Sequence, residues 1–303
     1  MHPINDLVVQ QPSLNAVDLY GYFKGVYFVS SLVVKLDKFG RPYARIKLSD
    51  VLTSIHINCF LPHALTMLKE PSLPVAVDVM VSRRDDVFFY TCKAIRPVSF
   101  EMFAKEAGVY GLPLAVLSSY DIQERFFAIL ENIYSQDLVN FLSKSLLQRQ
   151  ICINYCLCPA SLNHHHNYMG GLIEHSIEVA ESILYNESLN DTEKQVGMVA
   201  ALIHDIGKTR TMTPDLNRTS LGYFLDHDGL TLEICASAMQ ELDENNETDA
   251  IQLRHILTCN VPGSRYGFAA KTRLAVALQL SDRNSARIVM NGEDYNGLAS
   301  ATN

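Results

Sequence analysis

Between residues 21 and 98 apolar and polar positions alternate with a period of two. In PYARIKLSD, Ala44, Ile46 and Leu48 interleave with Tyr43, Arg45 and Lys47, which predicts a strand with one apolar face and one basic, aromatic face. A turn at Asp37–Gly40 joins this run to VYFVSSLVVKL. SIHINCF alternates again, with Ile55, Ile57 and Cys59 on one side and His56, Asn58 and Phe60 on the other. A short helical segment near Pro62–Lys69 follows, then two more β-rich runs, PVAVDVMVS and DVFFYTCKAI. Three strands, a short helix and two strands is the order of a five-stranded OB-type barrel. An isolated β-meander accounts for the strands but gives no reason for the helix.

From about residue 112 the period becomes helical, and helices are predicted over 171–186, 191–206, 228–242, 246–258 and 270–285. PASLNHHHNYMGG (159–171) is a loop rich in breakers and polar groups, and 286–303 is expected to be weakly ordered. The expected division is an N-terminal extension (1–20), a barrel (21–98), a linker (99–120) and an all-helical domain (121–303). The fold class is α+β, in two domains.

The net charge of −8 argues against a nucleic-acid partner until its distribution is considered. Residues 21–100 hold 11 Lys and Arg against 6 Asp and Glu, whereas the rest of the chain holds 14 against 27. The basic character therefore belongs to the barrel. No apolar run approaches the roughly 18 residues that cross a bilayer, and MHPINDLVVQQPSLN lacks a signal-peptide pattern, so a cytoplasmic protein is expected. The seven cysteines are irregularly spaced. CINYCLC (Cys152, Cys156, Cys158) reads either as a soft-metal cluster or as thiols packed at a helix end. The lack of a second such pair favours packing.

Seven of the ten histidines lie between 164 and 255. On the helix 171–186, His175 sits beside the apolar stripe Leu172, Ser176, Val179, Ala180 and Ile183, so it faces inward. On the next helix the stripe Val196, Val199, Ala200, Leu202 and Ile203 ends on His204-Asp205, and Gly207 is expected to cap that helix. Antiparallel neighbours of these lengths can bring His175 beside the pair. Asp282 likewise ends a core-packed helix, in LQLSDRNSAR. Imidazole with carboxylate suits a divalent ion such as Mn, Fe, Ni or Zn, with Mg also open, in a bundle interior. The plain alternative is a set of satisfied core histidines.

GGLIEHSIEVA … ALIHDIGK … LQLSD resembles the HD superfamily of metal-dependent phosphohydrolases, whose pattern is H … HD … D on a helical bundle. The resemblance covers roughly residues 155–285. It implies His175, His204, Asp205 and Asp282 as metal ligands, with Asp205 and Lys208 as catalytic residues, Lys208 meeting substrate phosphate. A barrel followed by this domain is similar to YhaM-type 3′→5′ exoribonucleases. PASLNHHHNYMGGLIEHSIEVA and SDRNSAR also resemble the HD-type domain of TraI-like, MobH-class conjugative relaxases. In YhaM-type enzymes histidines follow the helix that here reads RHILTCN, so Thr258, Cys259 and Asn260 depart from the pattern. His227 and His255 remain as candidate ligands of a second ion, and His164, His165 and His166 as candidate substrate or metal contacts. Tyr43, Arg45 and Lys47 are the candidate strand-binding residues of the barrel.

The expectation is a metal-dependent phosphodiesterase or nuclease acting on single-stranded nucleic acid. The alternatives are a hydrolase of small nucleotides and a non-catalytic binding module of a DNA-transfer system.

Overall fold

The computed structural model describes residues 11–68, 72–259 and 268–298. One compact unit runs to Phe127 and takes in Leu146–Ile153; the other comprises Ala128–Ser145 and the chain from Asn154.

In the first unit β1 (Tyr22–Leu36), β2 (Pro42–Ser49) and β3 (Ser54–Cys59) precede the short helix α1 (Pro62–Met67), then β4 (Leu73–Arg84) and β5 (Val87–Pro97). The strands close into a barrel in the order β1-β2-β3-β5-β4. Tyr22–Val29 of β1 pairs with β4 and Phe28–Leu36 with β2, and a register shift between Val29 and Ser31 bends the strand from one neighbour to the other. A parallel pairing of β3 with β5 (Ile57 with Tyr90, Asn58 with Thr91) completes the closure. This is the OB-type barrel that the element order predicts. Ala44, Ile46, Leu48, Ile57 and Cys59 are fully buried, and Ala64 and Leu68 from and just after α1 join the same core.

Two expected boundaries differ. Residues 1–10 of the expected N-terminal extension lie outside the described residues, but Leu14 and Val17 are buried in the barrel core, and the Tyr27 hydroxyl donates to the Pro12 carbonyl (2.6 Å). The segment 99–120, expected as a linker, is folded: α2 (Phe100–Glu106) is followed by 3-10 turns at Val109–Gly111 and Leu114–Val116. Phe103, Val109, Leu112 and Leu114 are fully buried, and an apolar set of that size cannot be left in a solvated tether. The Ala115 amide donates to the Asp50 carbonyl (3.1 Å) and the Val51 amide to the Tyr110 carbonyl (3.2 Å), tying this segment to the β2–β3 turn.

Asp50 organises that turn. Its buried carboxylate accepts from the amides of Leu14 (2.7 Å), Leu52 (3.0 Å) and Thr53 (2.8 Å) and from the Ser13 hydroxyl (3.1 Å). Asp50→Ala strands these donors, so we expect about 3 kcal/mol of destabilisation in urea unfolding of the barrel. A loss smaller than about 0.5 kcal/mol, the range of an ordinary surface change, contradicts this role.

Helices α3 (Tyr120–Leu130), α4 (Gln136–Leu146) and α5 (Cys152–Leu157) follow in sequence. The second unit continues with α6 (Gly171–Leu184), α7 (Asp191–Ile203), α8 (Lys208–Thr211), α9 (His227–Asn245), α10 (Glu247–Thr258) and α11 (Arg273–Leu298). α6 packs against α7 and α11, and α9 against α10. A capping box starts α7, with the Asn190 side chain accepting from the Glu193 amide (3.0 Å) and Glu193 accepting from the Asn190 amide (2.9 Å). α11 is continuous from Arg273 to Leu298, a stretch without proline, and residues 299–303 of the tail expected to be weakly ordered lie outside the described residues.

Cys152, Cys156 and Cys158 are fully buried cysteines outside any disulfide, and the Cys158 Sγ lies 3.5 Å from the Met212 carbonyl as its donor. They are packing groups. No helix among the described residues is long and apolar enough to cross a membrane.

Candidate metal centre

The apolar stripes of α6 and α7 are buried as the sequence predicts, and they carry His175 and His204 to one point. His175 is fully buried. Its Nε2 lies 3.3 Å from His204 Nε2, 3.6 Å from Asp205 Oδ2 and 3.2 Å from Asp282 Oδ1. His204 Nε2 lies 3.5 Å from Asp205 Oδ2 and 3.8 Å from Asp282 Oδ1. The helices from three separate stretches of sequence thus contribute two imidazoles and two carboxylates to one cluster.

The hydrogen bonds behind the rings fix which nitrogen is bare. His204 Nδ1 faces the Ala201 carbonyl at 2.8 Å, and a carbonyl only accepts, so Nδ1 carries the proton. His175 Nδ1 is 3.0 Å from the Ser285 hydroxyl, which itself donates to the Glu178 carboxylate at 2.5 Å. With its proton committed to Glu178, Ser285 must accept from His175 Nδ1–H. Both neutral rings therefore aim unprotonated Nε2 atoms at each other across 3.3 Å, with two carboxylate oxygens beside them.

Such an arrangement calls for a cation. In the metal-free protein a proton serves: burial pulls the His204 imidazole down, but the Asp205 and Asp282 carboxylates outweigh it and lift it to about 9. Burial works to raise both carboxyls, yet the facing cations and imidazoles hold Asp205 and Asp282 well below the usual carboxylate range. A divalent ion fits the same place. For metal–ligand bonds of about 2.1 Å, tetrahedral neighbours stand about 3.4 Å apart, close to the 3.2–3.8 Å at which each imidazole Nε2 meets the other ring and both carboxylates; His175, His204 and Asp282 form the compact trio, with ligand atoms within 4.8 Å of one another, and Asp205 adjoins it on the imidazole side. The donor set of imidazole nitrogens and carboxylate oxygens is that of a borderline divalent ion.

Asp205 is shared. While Oδ2 faces His175 and His204, Oδ1 lies 3.0 Å from His227 Nε2, and Lys208 Nζ bonds Oδ2 at 2.5 Å. His227 Nδ1 is oriented by Asp226 Oδ1 at 2.7 Å. α9 reaches this point because Gly207 leaves room for it: a Cβ there would stand 2.0 Å from the His227 carbonyl oxygen. Gly207 is not the left-handed cap expected from sequence, since its φ is −59° and α7 has already ended at Ile203. Close packing, not backbone conformation, requires glycine there.

Of the histidine run, His165 and His166 place their rings 5.3 and 5.6 Å from that of His175. His166 is buried, with Nε2 3.1 Å from Glu178 and Nδ1 2.9 Å from the Tyr168 hydroxyl. Burial, then the charges of His175 and Lys208, pulls His165 down to about 4, so it is neutral near pH 7. His164 is exposed and lines a cavity of about 300 Å³ with Lys208, Arg218, Asp226 and His227. That cavity opens beside the Asp205 end of the cluster. His255 is engaged elsewhere: its Nε2 accepts from the Lys271 amide at 2.9 Å. Thr258 donates to the Arg254 carbonyl, and Cys259 Sγ is 3.4 Å from the Ile256 carbonyl and 3.5 Å from Gln279 Nε2. Asn260 lies outside the described residues. Glu178 and Ser285 were missed in the sequence, although each follows a candidate ligand by three residues on the same helical face.

In the first unit, Arg45 and Tyr43 lie on the outer side of β2 as expected, and Lys47 is half-buried among them. Tyr43 stacks on the exposed Phe60 (4.9 Å, 26°). Lys47 is in register with His56, and Arg45 with Asn58. Burial first, then the charges of Arg45, Lys47 and Lys35, lowers the His56 pKa, which marks this face as cationic.

Residues 172–287 match the family model described as the HD domain. The chain is also similar to a 3'-5' exoribonuclease YhaM of Shouchella clausii (strain KSM-K16), at 26% identity over 190 residues, or 60% of this chain and 57% of that relative. The match thus spans little more than half of the relative's length. No solved structure matches the chain significantly, and the likeness to conjugative relaxases gains no support from these matches. Over residues 172–287 the chain therefore carries an HD domain, preceded in sequence by a five-stranded OB-type barrel.

Proposed function

We propose that the chain is a metal-dependent phosphodiesterase that degrades single-stranded nucleic acid, with RNA the first candidate because the similar protein is named an exoribonuclease. The observation that carries this reading is the pair of bare imidazole nitrogens flanked by Asp205 and Asp282, beside a cavity lined by Lys208, Arg218 and His164. His175, His204, Asp205 and Asp282 would hold a borderline divalent ion, Mn, Fe, Ni or Zn ahead of Mg. Such an ion supplies Lewis-acid polarisation of a phosphoryl group and acidifies water. Lys208 gives up its bond to Asp205 to offset phosphate charge. Glu178, Ser285 and Ala201 keep the imidazoles in the ligating tautomer, and Asp226 does so for His227. Tyr43, Arg45, Lys47 and Phe60 offer a stacking and cationic surface for a strand.

The cavity of about 300 Å³ is at the small end of ligand pockets and suits one nucleotide at a time. It therefore also favours a second reading, hydrolysis of free nucleotides. The purified chain, loaded with each candidate metal, is offered labelled single-stranded RNA, single-stranded DNA and a nucleotide panel. Chelator-sensitive release of mononucleotides from a strand is the expected result. Turnover of free nucleotides alone replaces the proposal with the second reading, and tight strand binding without turnover under any metal leaves only a binding module.

A second ion is expected to bind weakly. Beyond the shared Asp205, His227 is the histidine brought to that side, and His255 is engaged with Lys271. Calorimetric titration should find one tight equivalent and a second roughly a hundredfold weaker, a gap of about 2.7 kcal/mol. His227→Ala should remove only the weak phase. Two equivalents of similar, tight affinity contradict this.

A further inference from the structure

The cavity beside the metal cluster has room for one nucleotide, so the next base along a strand falls at its rim, and that rim is aromatic. Leu225, Asp226 and His227 form one wall of the cavity, and Tyr223 and Phe224 lead the chain into that wall from a 3-10 turn (Leu221–Tyr223). Tyr223 is 73% exposed, Phe224 87% and Leu225 49%, an unbroken apolar run held in water. A slack loop does not explain the exposure. Gly222 presses its backbone onto the end of α8, where a Cβ would stand 2.2 Å from the Thr211 carbonyl oxygen. The Gly222 amide donates to the Thr219 hydroxyl (3.0 Å), the Leu225 amide to the Leu221 carbonyl (3.0 Å) and the Arg218 guanidinium to the Gly222 carbonyl (3.0 Å). An anchored turn thus presents two rings that it does not bury, and it forgoes the stabilisation that burial would give.

We propose that Tyr223 and Phe224 form a stacking subsite for the second nucleobase of a single strand whose terminal nucleotide occupies the cavity. The subsite rests on the strand-degrading reading above and deepens it, since it is what separates a strand from a free nucleotide. Every base has a π-face, so stacking on these rings takes any sequence. The phosphate nearest them meets Arg218, which lines the cavity with Lys208 and has N–H donors beyond the one given to Gly222. Asp226, the acid of the same wall, is turned to His227 Nδ1 at 2.7 Å.

The test gives the full-length chain with Mn fluorescent single strands in which a methylene group replaces the bridging ester oxygen of the last linkage, so that binding is read without hydrolysis. Strands of both polarities are used, intact, abasic at the next-to-last position, or abasic in the middle. In wild type the next-to-last abasic residue should weaken binding about tenfold at one end of the strand. Phe224→Ala, at an exposed site where folding is not at stake, should bind the intact strand about tenfold more weakly and be indifferent to that abasic residue, which is the coupling expected of two groups in contact. Phe224→Leu should behave as Phe224→Ala, and Phe224→Trp should stay within twofold of wild type. KM for a nucleoside 5′-(methyl phosphate), which has no second base, should be the same in wild type and Phe224→Ala. Unchanged strand affinity in Phe224→Ala, an equal loss on intact and abasic strands, an equal rise in KM for the methyl ester, or a dimer that Phe224→Ala dissolves without affecting strand binding would each overturn the subsite alone. A wild type that binds no strand overturns the strand-degrading reading with it, so the two failures are distinguishable.

Discussion

Asp205→Asn and His204→Ala are each expected to lower phosphodiesterase turnover by roughly a thousandfold, equivalent to about 4 kcal/mol of transition-state stabilisation. Asp205 has the largest share because its two oxygens face different groups: His175 and His204 on one side, His227 on the other. Removing its charge empties both ion positions and frees Lys208 from its ion pair with Asp205. His204→Ala takes away one of two opposed lone pairs, so it should leave the chelated protein folded while abolishing the rise in melting temperature that metal causes in wild type. Elemental analysis should fall from about one tightly held equivalent to a trace. Ser285→Ala removes only the relay to His175 Nδ1, and the expected loss is nearer tenfold. Wild-type metal content in either ligand variant removes His204 and Asp205 from the ligand set.

The parts of this molecule that were legible from sequence are those where one period dominates. Alternation along PYARIKLSD put Ala44, Ile46 and Leu48 in the barrel core, and the helical stripes of α6 and α7 put His175 and His204 inward. The segment 99–120 was not legible because its buried residues are divided among a short helix and two 3-10 turns, so no single spacing connects Phe103, Val109, Leu112 and Leu114. Gly207 was misread for a different reason. A glycine after a helix usually signals a left-handed cap, whereas here its value lies in the missing Cβ against a helix far along the chain. Glu178 and Ser285 were present at the right spacing, but a serine or glutamate three residues from a histidine is common on any helix. Only the closure of α11 onto α6 makes the pair a relay. The division between His227 and His255 was likewise invisible, since both follow the HD pair on later helices and only the fold sends one to Asp205 and the other to Lys271.

The metal-free protein should lose stability between pH 6.5 and 9, and metal should abolish the loss. Raised to about 9 in the fold, His204 contributes stability that is fully present below the unfolded imidazole pKa, near 6.5, and is lost as pH rises through 9. The integrated effect is about 3 kcal/mol at 1.4 kcal/mol per unit. His227, also raised, acts with the same sign. The depressed carboxylates Asp205 and Asp282 contribute stability that is lost only as pH falls below the ordinary carboxylate range, outside this window. The buried Cys156 and Cys158 thiols, pushed up by desolvation, add to the loss at the top of this window, as the unfolded thiols begin to ionise. An ion must displace the His204 proton, so its apparent affinity should rise about tenfold per pH unit up to 9 and then level off. At fixed free metal this gain offsets the metal-free decline, leaving the loaded protein with a flat profile. Urea unfolding in chelator and in saturating Mn, at half-unit steps from pH 6.5 to 9, reads both curves. Taking each as the difference from His204→Ala cancels other titrating groups, including Cys59, which is lowered to about 7 by its bond with Cys92. A chelated wild type whose difference from His204→Ala does not shrink between pH 6.5 and 9 excludes a proton held between these rings.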